Sequence, residues 1–132
     1  MRSMARSLLL AAALLTIAAH PPLAHHSIVG QFDVSTSLTL RGKIVKVDWI
    51  NPHVYIFLEV DGPHGHSTTW ALSTIPIAML RKADITRELL EGTPGETVTV
   101  VIHPAHSGRA LGWISRITYS DGRYYALFED ER

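Results

Sequence analysis

Between Pro52 and Asp61 every second residue is aliphatic: Val54, Ile56, Leu58 and Val60 alternate with His53, Tyr55, Phe57 and Glu59. Successive side chains of an extended chain point to opposite faces, so this segment is expected to be a strand with one face in a core and His53, Tyr55, Phe57 and Glu59 on the other. Asn51-Pro52 ahead of it disfavours helix, because proline lacks an N–H and restricts the residue before it. The tip Asp61-Gly62-Pro63-His64-Gly65 turns the chain back into a second run, His66 to Leu72, in which Trp70 and Leu72 are in phase.

The same signature recurs along the chain. A long strand is expected from Leu38 to Ile50, where Leu38, Leu40 and Ile44 share one phase and Val45, Val47 and Trp49 the other. Side chains alternate strictly, so the change of phase predicts a bulge or sharp bend around Gly42. Glu96 to His103 carries Val98, Val100 and Ile102 in phase, and runs near Ala110 to Tyr119 and Arg123 to Phe128 are joined by the two-residue hairpin signal Asp121-Gly122. Only one stretch breaks the pattern. Ser73 or Thr74 offers a helix cap, Pro76 suits a first helical turn, and Ile77, Met79 and Leu80 supply an apolar stripe as far as Ala83, followed by a short turn at Thr86 to Leu90. Three strands, one short helix and two or three further strands predict a mainly β protein. The expected form is a small OB-like closed barrel of five to six strands, with the helix between strands three and four.

The N-terminus has a different character. Arg2 and Arg6 precede the apolar run Leu8 to Ala19 and the pair Pro21-Pro22, which is the order of a secretory signal peptide. The run is shorter than the roughly 20 residues that span a bilayer, so no transmembrane segment is expected in the mature chain. Cleavage after Ala24 divides the chain into a signal peptide (1–24), an N-terminal arm (25–35), the barrel domain (36–128) and an acidic tail (129–132). Cleavage after Ala18 or Ala19 is the alternative. The expected location is periplasmic or secreted, and about 100 remaining residues make one domain.

Lys and Arg together equal Asp and Glu at 12 each, and loss of Arg2 and Arg6 leaves the mature chain slightly acidic. That excludes the basic surplus of a nucleic-acid binder. With no cysteine, disulfides and thiolate metal sites are excluded as well, even in an oxidising compartment.

Histidine is the residue in excess: the chain has 8, all but His20 beyond Pro22. Imidazole is the commonest neutral nitrogen ligand of zinc and copper. In an OB-like barrel the loop before His53 and the loop holding His103 and His106 lie at one end, so a copper(II) or zinc site is expected from His53 with His103 or His106 and the terminal His25 and His26. A free amine and imidazole on His25 would together chelate copper(II). His64 and His66, in the hairpin tip, belong to the other end. A second possibility needs no metal. Tyr55 and Phe57, flanked by His53, form an aromatic strip on the face by which such barrels hold ligands, which suits a small neutral ligand or a periplasmic protein segment. The competing arrangement has the arm, Ile28 to Phe32, or a second subunit covering that strip. No nucleophile elbow or paired carboxylates frame Ser27, Ser73, Ser107, Asp33 or Asp48, so a binding module rather than an enzyme is expected.

His25-His26-Ser27, Phe32-Asp33, the Gly42 to Trp49 strand, Asn51-Pro52-His53, Trp70, Leu80-Arg81, Thr86 and Pro94-Gly95-Glu96 together resemble a family of small exported bacterial proteins known only as a domain of unknown function. The resemblance runs from about His25 to Arg123. It implies a His-His-Ser start directly after the signal peptide and a compact β-barrel, and it brings no activity or catalytic residue with it. His64, His66, His103 and His106 have no counterpart in the family's pattern.

Overall fold

The structure, a computed structural model, describes residues 28–128. The expected signal peptide, His25, His26 and the acidic tail lie outside the described residues. Six strands follow a short helical arm, α1 (Ile28–Gln31): β1 (Leu38–Ile50), β2 (His53–Asp61), β3 (Ser67–Ser73), β4 (Thr97–Pro104), β5 (Leu111–Thr118) and β6 (Tyr124–Ala126). Two helices, α2 (Ile77–Lys82) and α3 (Arg87–Glu91), lie between β3 and β4.

The strands run in the order β3-β2-β1-β4-β5-β6, and a parallel pairing of β3 with β5 (Leu72 opposite Gly112) closes the first five into a barrel. β6 is an outer sixth strand on β5. This is the OB-like arrangement expected from the element order, and closure removes the sheet edges that a small β protein would otherwise expose.

Inside, the alternation is obeyed. Val54, Ile56 and Leu58 of β2, Val98, Val100 and Ile102 of β4, and Ile114 and Ile117 of β5 are fully or almost fully buried in one cluster, joined by Leu80 of α2 and Leu90 of α3. Each such side chain contributes about 1.5–3 kcal/mol of apolar burial. The helices hold their leucines with modest capping. Thr86 Oγ1 accepts the Leu89 amide of α3, and the buried Tyr119 hydroxyl donates to Leu90 O at 2.5 Å. At α2 the expected cap is absent: Pro76 itself precedes the helix, and the Thr74 hydroxyl donates instead to Ile75 O. Thr74 is fully buried there, where its own turn offers the nearer acceptor.

β1 is long because it serves two neighbours. Leu38 to Lys43 pair with β4 and Lys43 to Ile50 with β2. The irregularity lies at Val45, not at Gly42: the register steps from Ile44–Leu58 to Lys46–Phe57, leaving Val45 as the extra residue, with its side chain 53% exposed. Gly42 has another task. A Cβ on it would come within 2.2 Å of Glu59 O, so only glycine lets β1 and β2 cross so closely.

Candidate functional site

The register carries one row of side chains across the outside of the barrel, from Tyr55 on β2 to Ser73 on β3, Trp113 on β5 and His103 on β4. Their sequence neighbours Val54, Leu72, Ile114 and Ile102 point inward. Outward residues normally meet water, yet Ser73, Trp113 and His103 are only 7%, 5% and 5% exposed. Two segments roof them.

The first is the arm. Phe32 bridges to Ala105, the Asp33 amide donates to Pro104 O at 2.8 Å, and the Phe32 ring packs on Trp113 with centroids 6.1 Å apart. Asp33 stiffens the arm's exit by accepting from the Ser35 amide and hydroxyl and from the Thr36 hydroxyl. Those bonds, the Ser35 hydroxyl foremost, hold its carboxyl below the usual value of 3.8. The second segment is the stretch after β6. A bulge in β5, where the register steps from Ile102–Ile114 to Val101–Arg116, sets Ser115 out of the ladder, and its carbonyl receives the amides of Leu127 and Phe128. Phe128 then meets His103 edge-on, with centroids 5.6 Å apart.

Beside this roof, toward β2, lies a cleft of about 500 Å³. His53, Tyr55, Ser73 and Trp113 line it from the barrel, Ile75, Pro76 and Met79 from the segment that begins α2, Ile28, Gln31 and Phe32 from the arm, and Leu127 and Phe128 from the tail. None of these is an acid, a lysine or an arginine. Two of its residues are unusual: His53 Nδ1 and Trp113 Nε1 are buried nitrogens with no hydrogen-bond partner among the described residues. Most buried polar atoms are paired, so a coincidence of two in one cleft calls for a cause.

The residues anticipated from the sequence divide among different tasks. His53 and Tyr55 stand together in the cleft, with rings 6.4 Å apart. Phe57 shares their face but lies outside the cleft, under the Lys46 ammonium, which sits 5.1 Å from its ring centroid. His103 Nδ1 bonds Thr36 O at 2.9 Å and His106 Nε2 bonds Val29 O at 3.0 Å. A carbonyl can only accept, so each of these nitrogens carries its hydrogen and is committed to holding the arm. Among the described residues no three or more of His, Cys, Asp and Glu are grouped to hold a metal ion. His25 and His26 lie outside those residues.

Arm coverage of the aromatic strip, the competing arrangement, is realised in part: the arm walls the cleft but leaves Tyr55 half-exposed. Trp113 is the residue that sequence reasoning passed over. Counting back by twos from the buried Ile117 and Tyr119 puts Trp113 inside the barrel, and the bulge at Ser115 reverses that.

A family model matches residues 12–114, most of the chain, and it describes DUF6152, a family of unknown function. The chain belongs to that family. The DUF6152 match takes in His53, Tyr55, Ser73 and Trp113 and stops short of β6, Leu127 and Phe128. No curated protein and no solved structure matches the chain. Among the described residues of this DUF6152 member, no helix is long and apolar enough to cross a membrane.

Proposed function

We propose that this protein is an exported, non-catalytic binding module that takes a small ligand in the cleft over Tyr55, Ser73 and Trp113. The observation that carries this reading is the cleft itself: walled by aromatic and aliphatic side chains, free of formally charged ones among the described residues, and about 500 Å³ in volume, within the roughly 300–1,000 Å³ of small-molecule sites. It also lies against the second and third strands, the face that OB barrels commonly present to ligands. Export is supported by Arg2, Arg6 and the apolar run to Ala19. The non-catalytic assignment rests on the sequence, in which no nucleophile elbow or paired carboxylates frame Ser27, Ser73, Ser107, Asp33 or Asp48.

The test is titration with Nile red, a neutral fluorescent probe. One saturable site per chain is expected, lost in Tyr55→Ala and kept in Phe57→Ala. Absence of a saturable site, or equal loss in both variants, overturns the reading.

A second reading makes His53 a ligand of copper(II) or zinc, with His25 and His26. It is favoured by the unpartnered Nδ1 of His53 and by Ile28, which lines the same cleft three residues after His25. His103 and His106 would join such a site only through the ring nitrogen not bonded to Thr36 or Val29. His53→Ala should then weaken copper(II) or zinc binding at least about tenfold, or about 1.4 kcal/mol. Unchanged affinity in calorimetry discards the metal site.

A further inference from the structure

We infer that the occupant of the cleft is an uncharged, ring-bearing small molecule that presents a hydrogen-bond acceptor to Trp113 Nε1 and a second polar group to His53 Nδ1. This rests on the reading of the cleft as a binding site and goes on to name the ligand's chemistry.

Three observations lead there. Among the described residues the lining carries no acid, lysine or arginine, and Asp48, opposite Tyr55 in the ladder, is already paired with Lys46 at 2.6 Å. An ionised ligand would lose its hydration with no opposite charge to meet it. Phe32, Tyr55, Trp113 and Phe128 put rings into the walls, and aromatic faces favour flat, polarisable partners. Finally, several polar rings elsewhere among the described residues do have partners. The Trp49 indole donates to Glu91 at 3.2 Å, the Tyr119 phenol to Leu90 O, and His103 to Thr36 O.

Trp113 is 5% exposed, and among the described residues its indole nitrogen has nothing to donate to. An indole N–H can only donate, so its missing counterpart is an acceptor, whereas His53 Nδ1 takes either role with its tautomer. Both nitrogens are shut from solvent, so the ligand reaches them by parting the side chains around the cleft. Met79, unbranched and 54% exposed, is the lining residue best suited to move.

The experiment is equilibrium dialysis of the purified full chain against three flat probes: naphthalene, which has no acceptor, coumarin, a neutral lactone, and the anion coumarin-3-carboxylate. Coumarin is expected to bind about tenfold more tightly than naphthalene, the equivalent of one satisfied buried donor, and the carboxylate more weakly than either. In Trp113→Phe the preference for coumarin should shrink towards unity while naphthalene affinity holds. In nitrogen–proton correlation spectra the Trp113 indole signal should move with coumarin and not with naphthalene, while that of Trp49 stays. If Trp113→Phe does not fold, Trp49→Phe and Trp70→Phe assign the signal by exclusion. Equal binding of naphthalene and coumarin with an unmoved Trp113 signal overturns this inference and leaves the cleft a binding site. Tight binding of the carboxylate overturns the uncharged ligand. Binding of none of the probes overturns both readings.

Discussion

The two faces of the barrel wall are built to different standards. On the inner face Val54, Ile56, Leu58, Val98, Val100 and Ile102 leave essentially no surface exposed, and mainly aliphatic packing fills the cluster. On the outer face, Ser73, Trp113 and His103 are covered by segments from opposite ends of the domain, Tyr55 stays half-exposed, and two buried nitrogens have no partner among the described residues. An interior that is complete in itself serves stability. The outer cleft, by contrast, keeps two polar atoms that no described residue matches.

The largest expected effect tests the inner face at the crossing of β1 and β2. Gly42→Ala places a methyl group within 2.2 Å of the Glu59 carbonyl, a backbone atom that cannot swing away. We expect a loss above about 4 kcal/mol, the exceptional range for a single substitution, read by urea unfolding. A loss below about 1 kcal/mol would show that the barrel wall yields as easily as the roof.

The second comparison sets Ile56→Ala against Trp113→Phe. Ile56 is fully buried in the main cluster, and its truncation should cost about 2–5 kcal/mol in the same measurement. Trp113→Phe removes some ring contact with Phe32 but also removes an unpaired buried N–H, and such a donor itself costs about 1–3 kcal/mol. These terms oppose, so the variant should stay within about 1.5 kcal/mol of the parent. A cost equal to that of Ile56→Ala would make Trp113 a core residue and erase the contrast.

The smallest effect concerns the hold on the arm. Asp33 is a stronger acid folded than unfolded, because the hydroxyls of Ser35 and Thr36 bond its carboxylate. Its contribution is therefore complete above the ordinary value of 3.8 and is lost as pH falls through the lower folded value. An acid titration followed at the Ser35 amide should show a midpoint below 3.8, moving up in Ser35→Ala. A midpoint at or above 3.8 in the parent would mean that these bonds do not hold the carboxylate.

Much of the barrel was legible in the sequence. β2 spans His53–Asp61 where alternation placed it, Val98, Val100 and Ile102 face inward, and the helices fall between β3 and β4. The shift of phase in β1 was legible too, though its position was not. Gly42 and Val45 lie three residues apart, and only the partner strand shows that the first permits a close crossing while the second is the inserted residue. Of the site, His53 and Tyr55 were legible because they occupy the polar phase of a clear strand. Phe57 has the same phase, but Lys46, its partner across the ladder, takes its ring.

The sequence by itself determined which residues of each strand prefer a core, where the chain turns and where one helical interruption falls, because these follow from local periodicity and from the backbone limits of glycine and proline. Only the tertiary structure decided what the outer face became. Trp113 faces outward because a bulge at Ser115 inverts the count, and it is buried because Phe32, far away in sequence, lies against it. His103 became a tether through its Nδ1 because Thr36 O lies 2.9 Å from it. No local pattern encodes these contacts, since each joins residues brought together only when the barrel closes.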